Sequence, residues 1–166
     1  VVSFDEALEI VLTQARWART PRLERVRLEE ANNRVLAVAI TADRDQPPFN
    51  RSTRDGFALR AADFAAGKSL AVGGQVRAGM QWDGALKPGE AIEIMTGAPV
   101  PPGADAVVML EHAVRSGENT IRLAEGRTIS AGENIVCRGA EARAGDEVLA
   151  VGSVMTPQAI ALAAAC

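Results

Sequence analysis

From Phe57 onward, glycine interrupts this chain too often for a long helix to form. Gly67, Gly73, Gly74, Gly79, Gly84, Gly89, Gly97 and Gly103 separate short runs such as SLAVGG, QVRAG, EAIEIM and ADAVVMLE, with TIRLAEG following. Glycine weakens a helix interior but suits turns that need positive φ. Short apolar runs punctuated by turns predict an all-β unit, a barrel or a sandwich, over about residues 49 to 126. The stretch RTISAGENIVCRGAEARAGDEVLAVGSVMTP reads again as short strands with glycine turns.

The N-terminus has a different texture. In SFDEALEIVLTQARWART, Ser3 and Glu6 stand at capping-box spacing. Leu8, Val11, Leu12 and Ala15 make one apolar stripe at helical period, and Pro21 ends the pattern. The stripe needs a partner, and the C-terminal TPQAIALAAAC, which reads as a helix just begun, is one candidate. Between these, Val26 and Leu28 suggest a short strand and LEEANNR a single helical turn. RVLAVAI fits a strand or a short helix, up to Pro47 and Pro48. The fold class is therefore α+β, predominantly β. It has an N-terminal helix (1–21), a small mixed α/β subdomain from two segments (22–48 and 127–155), and an inserted β-barrel or sandwich-like subdomain (49–126).

Charge and rare residues narrow the chemistry. Eighteen basic against 21 acidic residues give a net charge of −3, which lacks the clustered basic excess of a nucleic-acid binder. No apolar run nears the roughly 20 residues that span a bilayer, and Asp5, Glu6 and Glu9 break up any signal peptide. Two cysteines make no disulfide framework, so a reducing, cytoplasmic setting is the default. A single histidine, His112, disfavours a zinc site or a His-based triad. His112 reads as a surface or rim residue. A metal, if used, would need oxygen ligands, as magnesium does. Cys137 reads as a small buried residue, and Trp17 and Trp82 as packing residues. With no Tyr and four Phe, there is no aromatic array for stacking bases.

Three polar stretches stand out. NRSTRDGFALR, residues 50–60, packs Ser, Thr, Arg and Asp around an Asp55–Gly56 turn signal. It is either a plain polar loop or an anion loop whose Asp holds a cation. IMTGAPVPPGADAVVMLE, residues 94–111, sets Thr96 and Gly97 before three prolines that stiffen the loop. A hydroxyl and an approachable N–H there suit an oxyanion, although a rigid turn without ligand accounts for the residues as well. GENIVCRGAEARAGDEVLAVGSVMTP, residues 132–157, carries Arg138, Glu141, Arg143 and Asp146, most simply as a solvated face.

Together the three resemble one family. PPFNRSTRDGFALRAAD is similar to a P-x-F-x-x-S-x-x-D-G-Y-A-V-R segment, and MTGAPVPPGADAVVMLE to T-G-A-P-V-P-x-G-A-D-A-V-V. The third stretch resembles G-x-N-I, R-G-E-D, and L-x-P-x-x-I-x-L-L-A. These belong to the MoeA and gephyrin E-domain family, the molybdopterin molybdenumtransferases. LEEANNRVLA and the first helix extend the match over essentially the whole chain.

The resemblance implies insertion of molybdate into adenylylated molybdopterin with release of AMP, the last step of molybdenum cofactor biosynthesis. It also implies magnesium, an elongated homodimer, and a cleft shared with an α/β domain of the partner subunit. It makes the chain an N-terminal region, inactive alone, with 156–166 opening the α/β domain and the first helix packing on it. By position, Asp55, Thr96 and Glu141 fall on active-cleft residues, Asp55 also as the expected metal ligand. Ser52, Gly56 and Gly97 fall on substrate-binding positions. Departures are Thr53 and Arg54 in place of Ala-Met, Phe57 in place of Tyr, Asn33 in place of Gly, and Gly139-Ala140-Glu141 in place of Gly-Glu-Asp. Two alternatives stay open: a diverged, non-catalytic dimerisation or scaffold module, and a molybdate or anion sensor.

Overall fold

A computed structural model describes residues 2–17, 22–64 and 68–166. Pro21 and Gly67 lie outside the described residues. Helix α1 (Phe4–Arg16) starts where the sequence signals it. The Glu6 N–H donates to Ser3 Oγ, and the Ser3 N–H donates to the Glu6 carboxylate at 2.8 Å. None of its residues is buried, and Phe4 and the following Trp17 are each 80% exposed. The stripe thus stays open, and Trp17 does not pack as expected.

The first small unit joins two distant segments. A 3-10 turn (Leu28–Glu30) replaces the short strand expected at Val26 and Leu28. RVLAVAI is neither a continuous strand nor a helix: Val35 makes a lone bridge to Val154, Ala37–Val38 bends, and the last residue opens β1 (Ile40–Thr41). Far along the chain, β10 (Glu147–Leu149) pairs antiparallel with β1. Helix α2 (Pro157–Ala165) follows, with Thr156 Oγ1 accepting from the Ala159 N–H and Pro157 in the first turn. Pro suits that position because its missing N–H would have no intrahelical partner. Ala31, Met155 and Ala159 form the core here, packed by Leu28, Leu36, Leu149 and Ile160. Helix α2 therefore packs on the 3-10 turn and β10.

The glycine-punctuated region folds as a curled six-stranded sheet. In chain order its strands are β3 (Gly56–Leu59), β4 (Ser69–Val76), β5 (Glu90–Ile94), β6 (Ala106–Met109), β7 (Ala113–Gly117) and β8 (Thr120–Leu123). In space the order is β6-β3-β5-β4-β8-β7, with only β4 and β5 parallel. Alternation along β3 sends Phe57 and Leu59 into one apolar cluster and Ala58 into the other. Clusters on both faces leave all four β3 residues buried. Curling brings Arg115 of β7 to Glu93 of β5, at 2.9 Å, and over the Phe57 ring of β3, at 5.6 Å.

Two local readings change. Gly73 and Gly74 lie inside the eight-residue β4, at a bulge, and not in a turn. A Cβ on Gly74 would sit 2.6 Å from Trp82 Cη2, so bare backbone is what lets this Trp cover the strand. Strand β7 was not expected from AVRSG, whose apolar run is only two residues; it forms because the Glu118–Asn119 turn folds it back on β8. Two short strands, β2 (Arg51–Ser52) and β9 (Ile135–Val136), pair antiparallel and tie the sheet region to the third polar stretch.

Candidate functional site

Two loops that lie about forty residues apart in sequence are zipped together ahead of β3 and after β5. Ser52 N–H donates to Ala98 O (3.0 Å), Gly97 N–H to Ser52 O (2.8 Å), and Val100 N–H to Asn50 O (2.8 Å). The third stretch joins through Thr53 N–H to Asn134 O, and through Arg138 N–H to the Asn50 side chain. Asn134 holds a left-handed φ of 57°, which Asn tolerates better than most residues.

At the tip of this zipper, Asp55 meets Thr96. Asp55 Oδ1 accepts from the Thr96 N–H at 2.7 Å and from the Thr96 hydroxyl at 2.8 Å. Those two donors, the backbone N–H first, hold the Asp55 carboxyl below the usual carboxylate range. Both residues are exposed. The pair presents an ionised carboxylate on a fixed support, with Oδ2 free of hydrogen bonds among the described residues.

The expected substrate-binding positions Ser52, Gly56 and Gly97, and the third expected catalytic residue, Glu141, are differently placed. Ser52 is 1% exposed, and its hydroxyl donates to Arg54 O (2.6 Å) and accepts from Arg54 N–H, which closes the turn. Gly56 is buried between β5 and β6, where a Cβ would lie 1.9 Å from Val108 O. Gly97 has φ 81° with open space where a side chain would point, but its N–H is already given to Ser52. Glu141 is exposed and bonded to Arg51, Nη2 to Oε1, at 2.7 Å.

Some contributors were not singled out in the sequence. Asn50, Asn134 and Asp45 position the loops. Asp45 accepts from the Ala144 N–H and from Arg138, and these, the backbone bond first, lower its pKa. Their only sequence signal is an Asx residue beside a turn. Cys137, expected to be buried, is exposed.

Among the described residues no three His, Cys, Asp or Glu side chains converge on a metal position. The described residues offer no all-protein cage. A magnesium ion typically takes one or two carboxylates plus substrate phosphates, and Asp55 Oδ2 fits that narrower demand.

The description "MoeA N-terminal region (domain I and II)" matches residues 2–166. The chain belongs to the MoeA family. A molybdopterin molybdenumtransferase of Synechococcus elongatus is 40% identical over 172 residues, covering 99% of this chain and 41% of that protein. One from Bacillus subtilis is 38% identical over 169 residues, covering 98% of this chain and 39% of the relative. The chain thus spans about two fifths of the length of these relatives. The crystal structure of a molybdopterin biosynthesis MoeA protein from Pyrococcus horikoshii superposes with a TM-score of 0.84 at 35% identity. It covers 99% of this chain and 44% of that one. The mostly-β architecture with two helices is therefore that of the MoeA N-terminal region.

Proposed function

We propose that this chain is the N-terminal part of a molybdopterin molybdenumtransferase that inserts molybdate into adenylylated molybdopterin and releases AMP. The Asp55–Thr96 pair carries this reading. A carboxylate kept ionised by two donors, on a loop zipped at several points, costs little reorganisation when charge develops near it. Asp55 would hold the cation, and Thr96 would keep Asp55 aimed and charged. Magnesium, when bound, would neutralise phosphate charge near the departing AMP. Glu141 would line the same cleft, completed by an α/β domain in a cytoplasmic homodimer. On this reading the 166-residue chain is inactive without that domain.

The test is AMP release from adenylylated molybdopterin with molybdate and magnesium, using the chain joined to the remaining domains. Asp55→Asn should lower turnover about a hundredfold or more. Normal turnover in that variant removes the assigned role. One observation favours a second reading, a non-catalytic scaffold module: Ala140 stands where the family pattern has an acid, and Glu141 is engaged by Arg51. Folded whole protein that binds no pterin nucleotide yet assembles with another protein would favour the scaffold.

A further inference from the structure

Arg51 is fastened by its backbone and loose at its tip. Its main chain pairs with Val136 on one side and bridges Pro99 on the other. Its neighbours Asn50 and Ser52 are each bonded to the 98–100 loop. The guanidinium, by contrast, makes one hydrogen bond among the described residues, to Glu141 Oε1 at 2.7 Å. Among the described residues its other N–H groups make no hydrogen bond. The side chains are 40% and 58% exposed. Glu141 is anchored through its own N–H to Gln46 O, while its carboxylate has no other partner among the described residues.

A single-pronged, water-exposed ion pair is weak. The same fork meeting a phosphate-like oxyanion makes two parallel charge-assisted bonds and is much stronger. The next residue in β2 is Ser52, whose turn leads to Asp55 and Thr96, so Arg51 stands at the root of the candidate site. We propose that Arg51 is an oxyanion-binding residue of this cleft, held in reserve by Glu141, and that a phosphate-type oxyanion displaces the Glu141 carboxylate from it. Glu141 then has two states, paired while the cleft is empty and free once the anion arrives. The anion brings the replacement partner for Arg51, so neither charge is left unpaired. The proposal rests on reading this loop cluster as an oxyanion cleft.

The two partners make opposite predictions, which a merely structural latch does not. Inorganic phosphate and molybdate are titrated into the chain by calorimetry at low salt, with circular dichroism confirming that each variant is folded. Arg51→Gln should weaken binding about tenfold or more, the loss of a charge-assisted contact. Glu141→Gln removes the competitor and should tighten binding about threefold, since the exposed pair it abolishes is weak. Arg51→Lys keeps the charge without the fork and should fall between Arg51→Gln and the parent. In the parent, the Glu141 side-chain carboxyl NMR signal should move as phosphate saturates, and in Arg51→Gln it should not.

Equal weakening by Arg51→Gln and Glu141→Gln overturns the proposal, as does no detectable binding by either the parent or Glu141→Gln. The transferase reading fails separately, through absent AMP release by the whole protein, and that result leaves the opposite effects of the two variants to be read on their own.

Discussion

Gly56 and Asp55 are adjacent, yet the fold asks opposite things of them. Gly56 must be bare, because its Cα faces Val108 O across the β3–β6 ladder. Gly56→Ala should cost several kcal/mol, about 3 or more, since backbone has to move to admit the methyl. Urea denaturation should show a lowered midpoint or no folded protein at all. Asp55 instead must be charged. Its pKa falls on folding, so its contribution is present above the unfolded value of about 3.9 and is lost as pH falls through the lower folded value. Asp45, held by the Ala144 N–H and Arg138, and Asp63, held by Arg60 and the Gly89 N–H, titrate with the same sign. Melting temperatures of the parent and Asp55→Asn should therefore differ most near neutral pH and converge well below pH 4. A gap that widens on acidification would contradict the role of the Thr96 donors.

At the scale of elements, helix α1 isolates what a capping box does without tertiary help. It spans 13 residues, buries none of them, and begins with the Ser3–Glu6 exchange. Isolated helices of that length are marginal in water, so its cap matters more than in a packed helix. Ser3→Ala should cost α1 about 1 kcal/mol and reduce helical circular dichroism, while the unfolding midpoint of the sheet stays fixed. A matching drop in that midpoint would mean that α1 packs in solution.

The same scale shows where sequence was and was not readable. Turn glycines and β-branched runs marked β5, β6 and β8. Strand β7 escaped because AVRSG holds only two consecutive apolar residues, and its one ladder partner is β8. Gly73–Gly74 looked like a turn because Trp82, the residue that needs the bare backbone, lies further along the chain. At the site, spacing and resemblance picked out Asp55 and Thr96, but their direct bond spans 41 positions and leaves no local trace. That the Ser52 hydroxyl is spent on its own turn was equally hidden, because the residue types fit a ligand loop as well.

For the whole molecule, the unequal size of the cores sets the order of unfolding. Among the described residues the sheet holds two clusters, with sixteen buried residues in all. The unit built on β1, β10 and α2 has three, Ala31, Met155 and Ala159. Its backbone bonds nevertheless cross long sequence distances, as in Leu36 N–H to Ser153 O and Met155 N–H to Arg34 O. Such a unit opens locally at lower free energy than a sheet with apolar cover on both faces. Met155 is 3% exposed at its centre, and Met155→Ala should remove about 2–5 kcal/mol from it. Hydrogen exchange should then speed up at Leu36, Ala42, Gly152 and Met155, while amides of β3 and β5 keep their protection. The two regions are tied at β2–β9, by Thr53 N–H to Asn134 O, by Arg138 N–H to the Asn50 side chain and by the Arg51–Glu141 pair, and the exchange pattern reads whether these ties carry opening across. If β3 and β5 instead lose protection by the same factor, the chain unfolds as one unit. The loops carrying Asp55, Thr96 and Glu141 would then share a single stability, and the sheet could not hold the Asp55–Thr96 pair in place while the smaller unit opens.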